Sequence, residues 1–295
     1  MNASPQTRPI GLVTSSYRGD FDRCHLLCES IDRWVTGHNC HYLLVEHADV
    51  AMFKVFEGPK RRVVDERDLL PFWLRPFPDP LSFGRRRIWL SPKGPPLRGW
   101  HVQQLRQIAF TETMDEDAIV DVDSDVVFVR PFDARSFWRG AALRFFREPD
   151  AFKPDMDEHR AWSKRAGKVL GIPSPEITET DYITTLIGWR RDTAIGMLRR
   201  IEAVTGRSWV AALAASRALS ECMIYGRFAD ELENRPDRHF ASAERLCHIY
   251  WTGAAMTEKT LADFLSAMTP EQVAIGIQSF TGTDPMLIRR AAGLA

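Results

Sequence analysis

The sequence lacks an excess of either charge, because 39 lysines and arginines balance 39 aspartates and glutamates. A neutral chain has no general attraction for nucleic acid or for an acidic membrane, so a patch for either partner would have to be local. No run approaches the roughly 18 apolar residues of a membrane span, and residues 1–9 are polar. These absences predict a cytoplasmic protein without a nucleic-acid partner. They leave open its oligomeric state and peripheral contact with the inner face of the cytoplasmic membrane.

The sequence also lacks a cysteine framework. The five cysteines are Cys24, Cys28, Cys40, Cys222 and Cys247. Their number is odd, they contain no CxxC pair, and no second ligand pair follows at the spacing of a zinc site. Buried free thiols in a reducing compartment are therefore predicted. Repeats and low-complexity linkers are absent as well.

The first third of the chain alternates between strand and helix patterns. A short apolar run at residues 10–14 leads into a small polar loop, and Asp20 or Asp22 can then cap an amphipathic helix. Further strands are predicted at residues 41–45 and 62–64. This rhythm, with 44% apolar residues in 295, predicts an α/β domain with a sizeable core.

The rhythm breaks at the proline-rich residues 71–99, for which we predict a long irregular insertion that borders the functional site. It resumes after that point. Helices are predicted at residues 100–113, 160–170, 194–204, 209–218 and 219–228, and strands at residues 141–146, 185–189 and 246–251. Gly171 is a stop signal for the second of these helices.

An apolar run at residues 118–132 carries Asp121, Asp123 and Asp125 at alternate positions. In one strand the three carboxylates would share a face at spacings of roughly 6.6 Å. Each neighbouring pair would then repel by about 2.5 kcal/mol at an effective dielectric of about 20. Two interpretations remain: the carboxylates bind a cation, or they form a turn between two buried strands with no ligand.

A calcium-binding EF-hand is excluded, because its sixth and twelfth positions require Gly and Glu. Counted from Asp121, these positions hold Val126 and Phe132. We expect the strand to end at Asp121 or the next residue. Asp123 and Asp125 would then project from a turn at its carboxyl end, with Asp121 as a structural neighbour.

Residues 122–133, Val-Asp-Ser-Asp-Val-Val-Phe-Val-Arg-Pro-Phe-Asp, resemble the D-x-D stretch and following Lys/Arg-Pro-Phe-Asp turn of GT-A nucleotide-sugar glycosyltransferases. Residues 15–20, 99–104 and 220–226 further resemble a bacterial family of unassigned function thought to share that fold. The resemblance covers most of residues 10–253. It implies an α/β, Rossmann-like fold with a mixed central sheet flanked by helices.

The resemblance also implies a domain organisation. A flexible N-terminus at residues 1–8 would precede a single GT-A-like catalytic domain at residues 9–255. A C-terminal helical segment at residues 256–295 would pack on that domain.

The resemblance implies a metal site at Asp123, Asp125 and His248, with Asp123 also touching the ribose. Hard oxygen ligands that leave positions for phosphate suit Mg²⁺ or Mn²⁺. The cation would stabilise the diphosphate that leaves a nucleotide-sugar donor, a UDP- or GDP-sugar. For His248 the alternative is a core histidine beside Tyr250 and Trp251.

Donor contacts are expected at the end of the first strand, where open α/β sheets bind ligands. The candidates are Thr14, Ser15, Tyr17, Arg18, Gln103 and Gln104. Tyr17 could stack on the nucleobase and Arg18 could pair with phosphate, although a solvated loop gives the same pattern. The two glutamines could instead be exposed polar positions of their helix.

Glu221 and Asp181 are the candidates for a general base or for fixing acceptor hydroxyls. Helix caps are the alternative interpretation of both residues. The run at residues 85–87, three arginines, is more typical of a solvated face than of a phosphate or lipid-headgroup site.

The resulting hypothesis is a metal-dependent glycosyltransferase that moves a sugar to a bacterial glycan or glycolipid acceptor, of the lipopolysaccharide, capsule or exopolysaccharide type. One alternative is a haloacid-dehalogenase-like phosphatase, since Asp121-Val-Asp123 after an apolar strand resembles its nucleophile and acid pair. More than a hundred residues precede this pair, whereas that family places it on the first strand. The other alternative is a non-catalytic nucleotide-sugar-binding protein of the same fold.

Overall fold

The structure is a computed structural model that describes residues 8–83 and 86–294. The predicted flexible N-terminus therefore lies, up to residue 7, outside the described residues. The strands are β1 (Ile10–Ser16), β2 (Val35–Thr36), β3 (His41–Val45), β4 (Arg61–Asp65), β5 (Arg75–Pro78), β6 (Arg87–Leu90), β7 (Leu97–Arg98), β8 (Ala118–Asp121), β9 (Val126–Phe128), β10 (Phe132–Asp133), β11 (Trp138–Arg139), β12 (Ala142–Phe146), β13 (Ile187–Arg190), β14 (His239–Ser242), β15 (Cys247–Tyr250) and β16 (Ala274–Ile277).

Helices alternate with many of these strands. The α-helices are α1 (Phe21–Trp34), α2 (Val50–Phe53), α3 (Glu66–Leu69), α4 (Gly99–Thr113), α5 (Asp157–Leu170), α6 (Arg191–Thr205), α7 (Trp209–Ala214), α8 (Glu221–Arg227), α9 (Glu258–Ser266) and α10 (Pro285–Ala291). No helix of the described residues is both long enough and apolar enough to cross a membrane.

A five-stranded sheet with the order β13-β8-β1-β3-β4 forms the centre of this single α/β domain. Strands β8, β1, β3 and β4 are parallel, and β13 runs antiparallel to β8. The chain builds the sheet outward from β1 through β3 to β4 and then returns to place β8 on the other side of β1. The carboxyl ends of β1 and β8 are thus the switch point of the sheet, where such folds form a crevice.

The two faces of the central sheet are covered by different helices. Leu12 on β1 belongs to the same buried cluster as Leu27 of α1. Its neighbour Val13 belongs instead to the cluster that contains Ile108 of α4. Successive side chains of a strand point to opposite faces, so one strand is held from both sides, as is usual in parallel sheets.

The proline-rich insertion contains regular structure, and the prediction of an irregular segment was wrong. Strands β5, β6 and β7 form a three-stranded antiparallel sheet. Pro76 and Pro78 lie on β5, an edge strand of that sheet. An edge position tolerates proline because its missing N–H would otherwise point away from the ladder. Proline content alone therefore did not indicate the structure.

The C-terminal segment contains a strand as well as the expected helices. Strand β16 lies between α9 and α10. It pairs in parallel with β15 and antiparallel with β9, which follows the acidic turn. Residues 256–294 thus join the preceding part of the domain through backbone hydrogen bonds, as well as through helix packing.

Two local predictions are corrected and one is confirmed. Strand β1 extends to Ser16, two residues beyond the predicted end, and Thr14 to Ser16 are buried. Asp20 occupies the N-cap position of α1, but its side chain makes no capping hydrogen bond. All five cysteines are buried free thiols, as predicted.

Trp189 on β13 attaches helix α8 to the central sheet. It is 1% exposed and stacks on Tyr225 of α8, with ring centroids 5.4 Å apart. We expect Trp189→Ala to lower the free energy of unfolding by about 3–5 kcal/mol, because it leaves a large cavity. Urea unfolding followed by circular dichroism measures this change. Trp189→Phe is the matched control with a smaller expected loss, and a loss below about 1 kcal/mol for the alanine variant would contradict the prediction.

Candidate functional site

A cavity of about 850 Å³ opens at the switch point of the central sheet. Its lining begins with Asp20 after β1 and includes the loop after β8, and it extends to Ser279 near the C-terminus. Side chains far apart in sequence therefore meet in one place. The carboxyl edge of β1 and β8 makes this convergence possible, since both strands end on the same side of the sheet.

The acidic stretch forms a turn at this edge, as predicted. Strand β8 ends at Asp121 and β9 begins at Val126. The N–H of Val126 donates to the carbonyl of Asp123 over 3.2 Å and closes the turn. Asp123 and Asp125 both line the cavity.

Three carboxylates of the cavity lie close enough to affect one another. Burial, followed by the charges of Asp123 and Asp20, raises the pKa of Asp125 to about 7. Burial and the charge of Asp20 also raise the pKa of Asp123. Among the described residues none of the three forms an ion pair with lysine or arginine. Their negative charge is thus largely uncompensated.

Arg23 acts electrostatically on Asp20 and Asp125, but its guanidinium already has hydrogen-bond partners. It donates to the carbonyl oxygens of Ile277 and Thr283 over 2.8 and 3.0 Å. Its charge lowers the pKa of Asp20 and of Asp125 only against a larger effect of burial. Arg23 therefore offsets only part of the negative charge of the acidic turn.

Asp20 is a site residue that the sequence analysis assigned to helix capping. The hydroxyl of Ser124 lies 3.4 Å from its carboxylate, which places Asp20 against the acidic turn. Its position in the polar loop after the first strand was the available signal, because such loops approach ligands in α/β folds.

The floor of the cavity consists of three buried polar side chains, each with one atom that lacks a hydrogen-bond partner among the described residues. The amide of Gln107 donates to Asp121 over 2.7 Å. The second oxygen of Asp121, the amide oxygen of Gln107 and the amide nitrogen of Gln104 have no hydrogen-bond partner among the described residues. These three side chains are 6%, 2% and 1% exposed. Buried polar atoms are normally satisfied, so this floor has the character of a ligand surface.

Glu221 begins helix α8 beside this floor. Ser220 caps the helix by accepting from the N–H of Met223, so Glu221 itself is not the cap. The N–H of Glu221 donates to the side-chain oxygen of Gln104 over 3.1 Å. Burial raises the pKa of Glu221 to about 7, with a further contribution from the charge of Asp123. A carboxylate of this pKa can accept a proton near neutral pH.

Asp181 lies on another wall and is more firmly bound. One of its oxygens accepts from the N–H of Ile183 over 2.9 Å, and the other lies 3.7 Å from the guanidinium of Arg245. Burial raises its pKa. Asp181 starts no helix in the described structure, so the interpretation as a helix cap is wrong for it, as it is for Glu221.

Aromatic side chains form a further part of the wall. Trp100 and Trp162 line the cavity with their ring centroids 5.5 Å apart. Trp100 is 46% exposed, and Trp251, which also lines the cavity, is 57% exposed. Exposed ring faces offer a flat, weakly negative surface. These tryptophans were not predicted as site residues from the sequence, because they belong to separate helices and a loop.

Residues 8–291 match a family of unknown function (DUF6492). The chain belongs to this family. The match spans nearly the whole chain, including all cavity residues named above. No curated protein matches the sequence.

In this DUF6492 member the predicted site residues divide into two groups. The cavity contains Gln103, Gln104, Asp123, Asp125, Asp181, Glu221 and His248. The other four, Thr14, Ser15, Tyr17 and Arg18, are not part of its lining. Gln104 is buried, so its interpretation as an exposed helix position is wrong.

The residues at the end of β1 have protein partners of their own. Thr14 is fully buried and its hydroxyl lies 3.0 Å from Nε2 of His41. Arg18 pairs with Asp49 at 2.7 Å. Tyr17 is 47% exposed, and burial and the charge of Asp20 raise its pKa. Tyr17 thus adjoins the acidic end of the cavity with a ring that is still accessible.

His248 lies in the cavity wall on β15, and its ring stacks on Phe264 with centroids 4.2 Å apart. No group of three or more His, Cys, Asp or Glu side chains in the described part of the chain is arranged to hold a metal ion. The predicted trio of Asp123, Asp125 and His248 is therefore not preassembled in this arrangement. The two aspartates do lie near each other in the acidic turn, because the charge of Asp123 contributes, after burial, to the raised pKa of Asp125.

Proposed function

We propose that this protein is a metal-dependent glycosyltransferase of the GT-A type, which moves a sugar from a nucleotide-sugar donor to a bacterial glycan or glycolipid on the cytoplasmic side of the membrane. One observation carries the proposal. The cavity at the sheet switch point combines uncompensated carboxylates, a polar floor with unfilled hydrogen bonds and an aromatic wall. A sugar linked to a diphosphate and a cation would match all three.

The sheet topology supports a nucleotide-binding role. Of the four parallel strands, β3 and β4 are added on one side of β1, and β8 is then added on the other side of β1. Open α/β sheets bind ligands in the crevice that forms at such a point. The antiparallel β13 pairs with the other edge of β8 and completes the sheet. On this proposal the nucleobase would stack on the accessible ring of Tyr17, at the end of β1, and the donor would be a UDP- or GDP-sugar.

The acidic turn fits a divalent cation, Mg²⁺ or Mn²⁺. Asp123 and Asp125 would hold it, and its charge would offset the repulsion among these residues and Asp20. Mg²⁺ is commonly held by one or two carboxylates together with substrate phosphates and water, so a site without three protein ligands agrees with this use. A bound cation would stabilise the negative charge on the departing diphosphate. His248, which lines the same cavity, would join the two aspartates as a third ligand only when the cation is bound.

The polar floor suits the hydroxyl groups of the transferred sugar. The free amide nitrogen of Gln104 can donate, and the free oxygens of Gln107 and Asp121 can accept. A hydroxyl group does both, so a sugar ring could satisfy all three atoms at once. A site that leaves its polar atoms unpaired without the correct ligand discriminates strongly against analogues that lack the hydroxyl.

The acceptor would approach from the aromatic side of the cavity. Exposed Trp100 and Trp251 offer flat surfaces for the C–H faces of a sugar ring. We assign Glu221 the role of general base for the attacking hydroxyl, because its pKa of about 7 suits proton transfer near neutral pH. Asp181, held by Arg245, would fix acceptor hydroxyls.

The phosphatase alternative requires Asp121 to attack a phosphate. Burial, followed by the charge of Asp123, raises the pKa of Asp121 well above its usual value, and a protonated carboxyl is a poor nucleophile. The non-catalytic alternative shares the whole cavity, and only turnover distinguishes it from the transferase.

Calorimetric titration of the full chain with UDP-, GDP-, CMP- and dTDP-sugars tests the proposal, with Mn²⁺ present or removed by EDTA. We expect one nucleotide class to bind with Mn²⁺ and to bind at least about tenfold more weakly without it. Absence of binding for all four classes, both with Mn²⁺ and with EDTA, would overturn the proposal. Hydrolysis of a generic phosphate ester, assayed in parallel, would favour the phosphatase instead.

A further inference from the structure

Residues 72–98 carry an unusual concentration of exposed apolar side chains. They contribute Phe72, Phe77, Leu81, Phe83 and Leu90, which are five of the fourteen large apolar side chains exposed in the described part of the chain. Leu81 and Phe83 are 84% and 95% exposed. Single exposed apolar residues are ordinary, but a local group of them marks an interaction surface.

The β5–β6–β7 sheet arranges part of this group on one face. Its register places Phe77 opposite Ile88 and Leu90 opposite Arg75. Trp89 and Leu97, which alternate with these residues, point inward and are 2% and 1% exposed. Since side chains alternate across a strand, Phe77, Ile88 and Leu90 share the outward face.

Basic residues surround this outward face. Arg75 lies opposite Leu90, and Arg98 lies opposite Ile88 on β7. Residues 72–98 contain six lysines and arginines and one acidic residue, Asp79, in a chain with no net charge. Asp79 is 9% exposed and accepts the N–H of Leu81, so it does not neutralise the surface. The local net charge is therefore strongly positive.

Most of these cations form no ion pair with the described part of the chain. Arg87 pairs with Glu46 at 2.9 Å. Arg75, Arg86, Lys93 and Arg98 form no ion pair within residues 8–83 and 86–294. Arg85 of the three-arginine run lies outside the described residues, whereas Arg86 and Arg87 lie within them. The prediction of a plain solvated face at this run does not account for the exposed Leu81 and Phe83, because a solvated face does not require large apolar side chains.

We infer that the outward face of the β5–β6–β7 sheet, with the exposed Leu81 and Phe83, docks on an anionic membrane surface. Apolar side chains enter the headgroup boundary while cations bind anionic headgroups, and each basic residue near the surface contributes. Arg98 directly precedes α4, whose exposed Trp100 lines the cavity. Docking would hold the cavity close to lipid, which, if the proposed function is correct, favours a lipid-linked acceptor.

Flotation of the full chain with vesicles tests this inference without any assay of transfer. Vesicles of phosphatidylcholine alone are compared with vesicles that also contain phosphatidylglycerol. One variant combines Leu81→Ser with Phe83→Ser, and a second combines Arg75→Glu with Arg98→Glu. Val55→Ser and Arg207→Glu are the matched controls, since Val55 is 72% exposed and Arg207 is exposed on the segment after α6.

We expect binding to the phosphatidylglycerol vesicles only, weakened by added salt. Each double variant should lower it about tenfold or more, and both controls should leave it unchanged. No binding to either vesicle, or equal binding by the variants and the parent chain, would overturn the inference. If the Leu81 and Phe83 variant instead abolishes self-association in sedimentation velocity, the face contacts a second copy and the membrane assignment is wrong. Donor binding is measured separately, so failure of docking and failure of the proposed function give different results.

Discussion

Asp125→Asn is expected to lower Mn²⁺-dependent sugar transfer by about 10²–10³-fold, which corresponds to several kcal/mol of lost charge stabilisation. Asparagine keeps the size of the side chain but removes the charge that would hold the cation beside Asp123. Binding of the nucleotide sugar should lose its dependence on Mn²⁺ in the same variant. Initial rates and calorimetric titration, each with Mn²⁺ and with EDTA, measure the two effects.

The stability of the metal-free Asp125→Asn variant shows whether Asp125 serves the site or the fold. Asp125 is buried near two like charges and has no ion pair among the described residues, so its charge opposes folding. Without metal at pH 8, Asp125→Asn should therefore melt at the same temperature as the parent chain or several degrees above it. Asp133→Asn is the matched control: Asp133 pairs with Arg135 outside the cavity, and transfer should be unaffected. A lower melting temperature with unchanged Mn²⁺ dependence would remove Asp125 from the site.

Glu221→Gln is expected to lower turnover by about 10²–10⁴-fold, the usual contribution of a general base. Glutamine retains the N–H of residue 221 that bonds Gln104, and it occupies nearly the same volume. Donor binding should therefore change by no more than about twofold. Steady-state kinetics and donor titration together measure this split between turnover and binding.

The pH profile provides a second measurement of the Glu221 role. A general base must be ionised, so the rate of the parent chain should rise with pH until Glu221 has lost its proton. In the absence of metal its pKa is raised to about 7, mainly by burial and in part by the charge of Asp123. A cation at Asp123 would reduce that effect and move the midpoint below about 7. Glu221→Gln should lack this rise.

Asp181→Asn is the comparison for the base assignment. Arg245 and the N–H of Ile183 hold Asp181 in place, so its loss should chiefly weaken acceptor binding. If Asp181→Asn removes the pH-dependent rise while Glu221→Gln retains it, the roles of the two residues must be exchanged. If both variants keep full turnover, neither residue is the base.

The local pattern around the acidic turn was sufficient to predict its geometry. An apolar run that carries alternating carboxylates cannot continue as a buried strand, because each ionised side chain would be desolvated next to another. The strand therefore had to end near Asp121, and it does. The early strands were predictable from short runs of apolar side chains, which are typical of buried strands. The free cysteines were predictable from their odd number and from the lack of a paired spacing.

Other features depended on contacts between distant residues. The proline-rich strands β5 to β7 were missed because edge pairing, and not composition, permits proline in a sheet. Asp20 was assigned to capping because its neighbour in space, Ser124, lies more than a hundred residues away. Gln107 gave no signal at all, since only the fold shows that its amide meets Asp121.

The sequence by itself determined that this chain is an α/β protein with an acidic turn after a buried strand, and that its charges balance overall. Only the tertiary structure decided that Asp20, Gln104 and Glu221 gather around that turn. It also decided that the positive charge of residues 72–98 lies beside exposed apolar side chains. The reason is physical: periodicity and local charge act between neighbours along the chain, whereas a site is defined by which strand ends meet at one edge of the sheet.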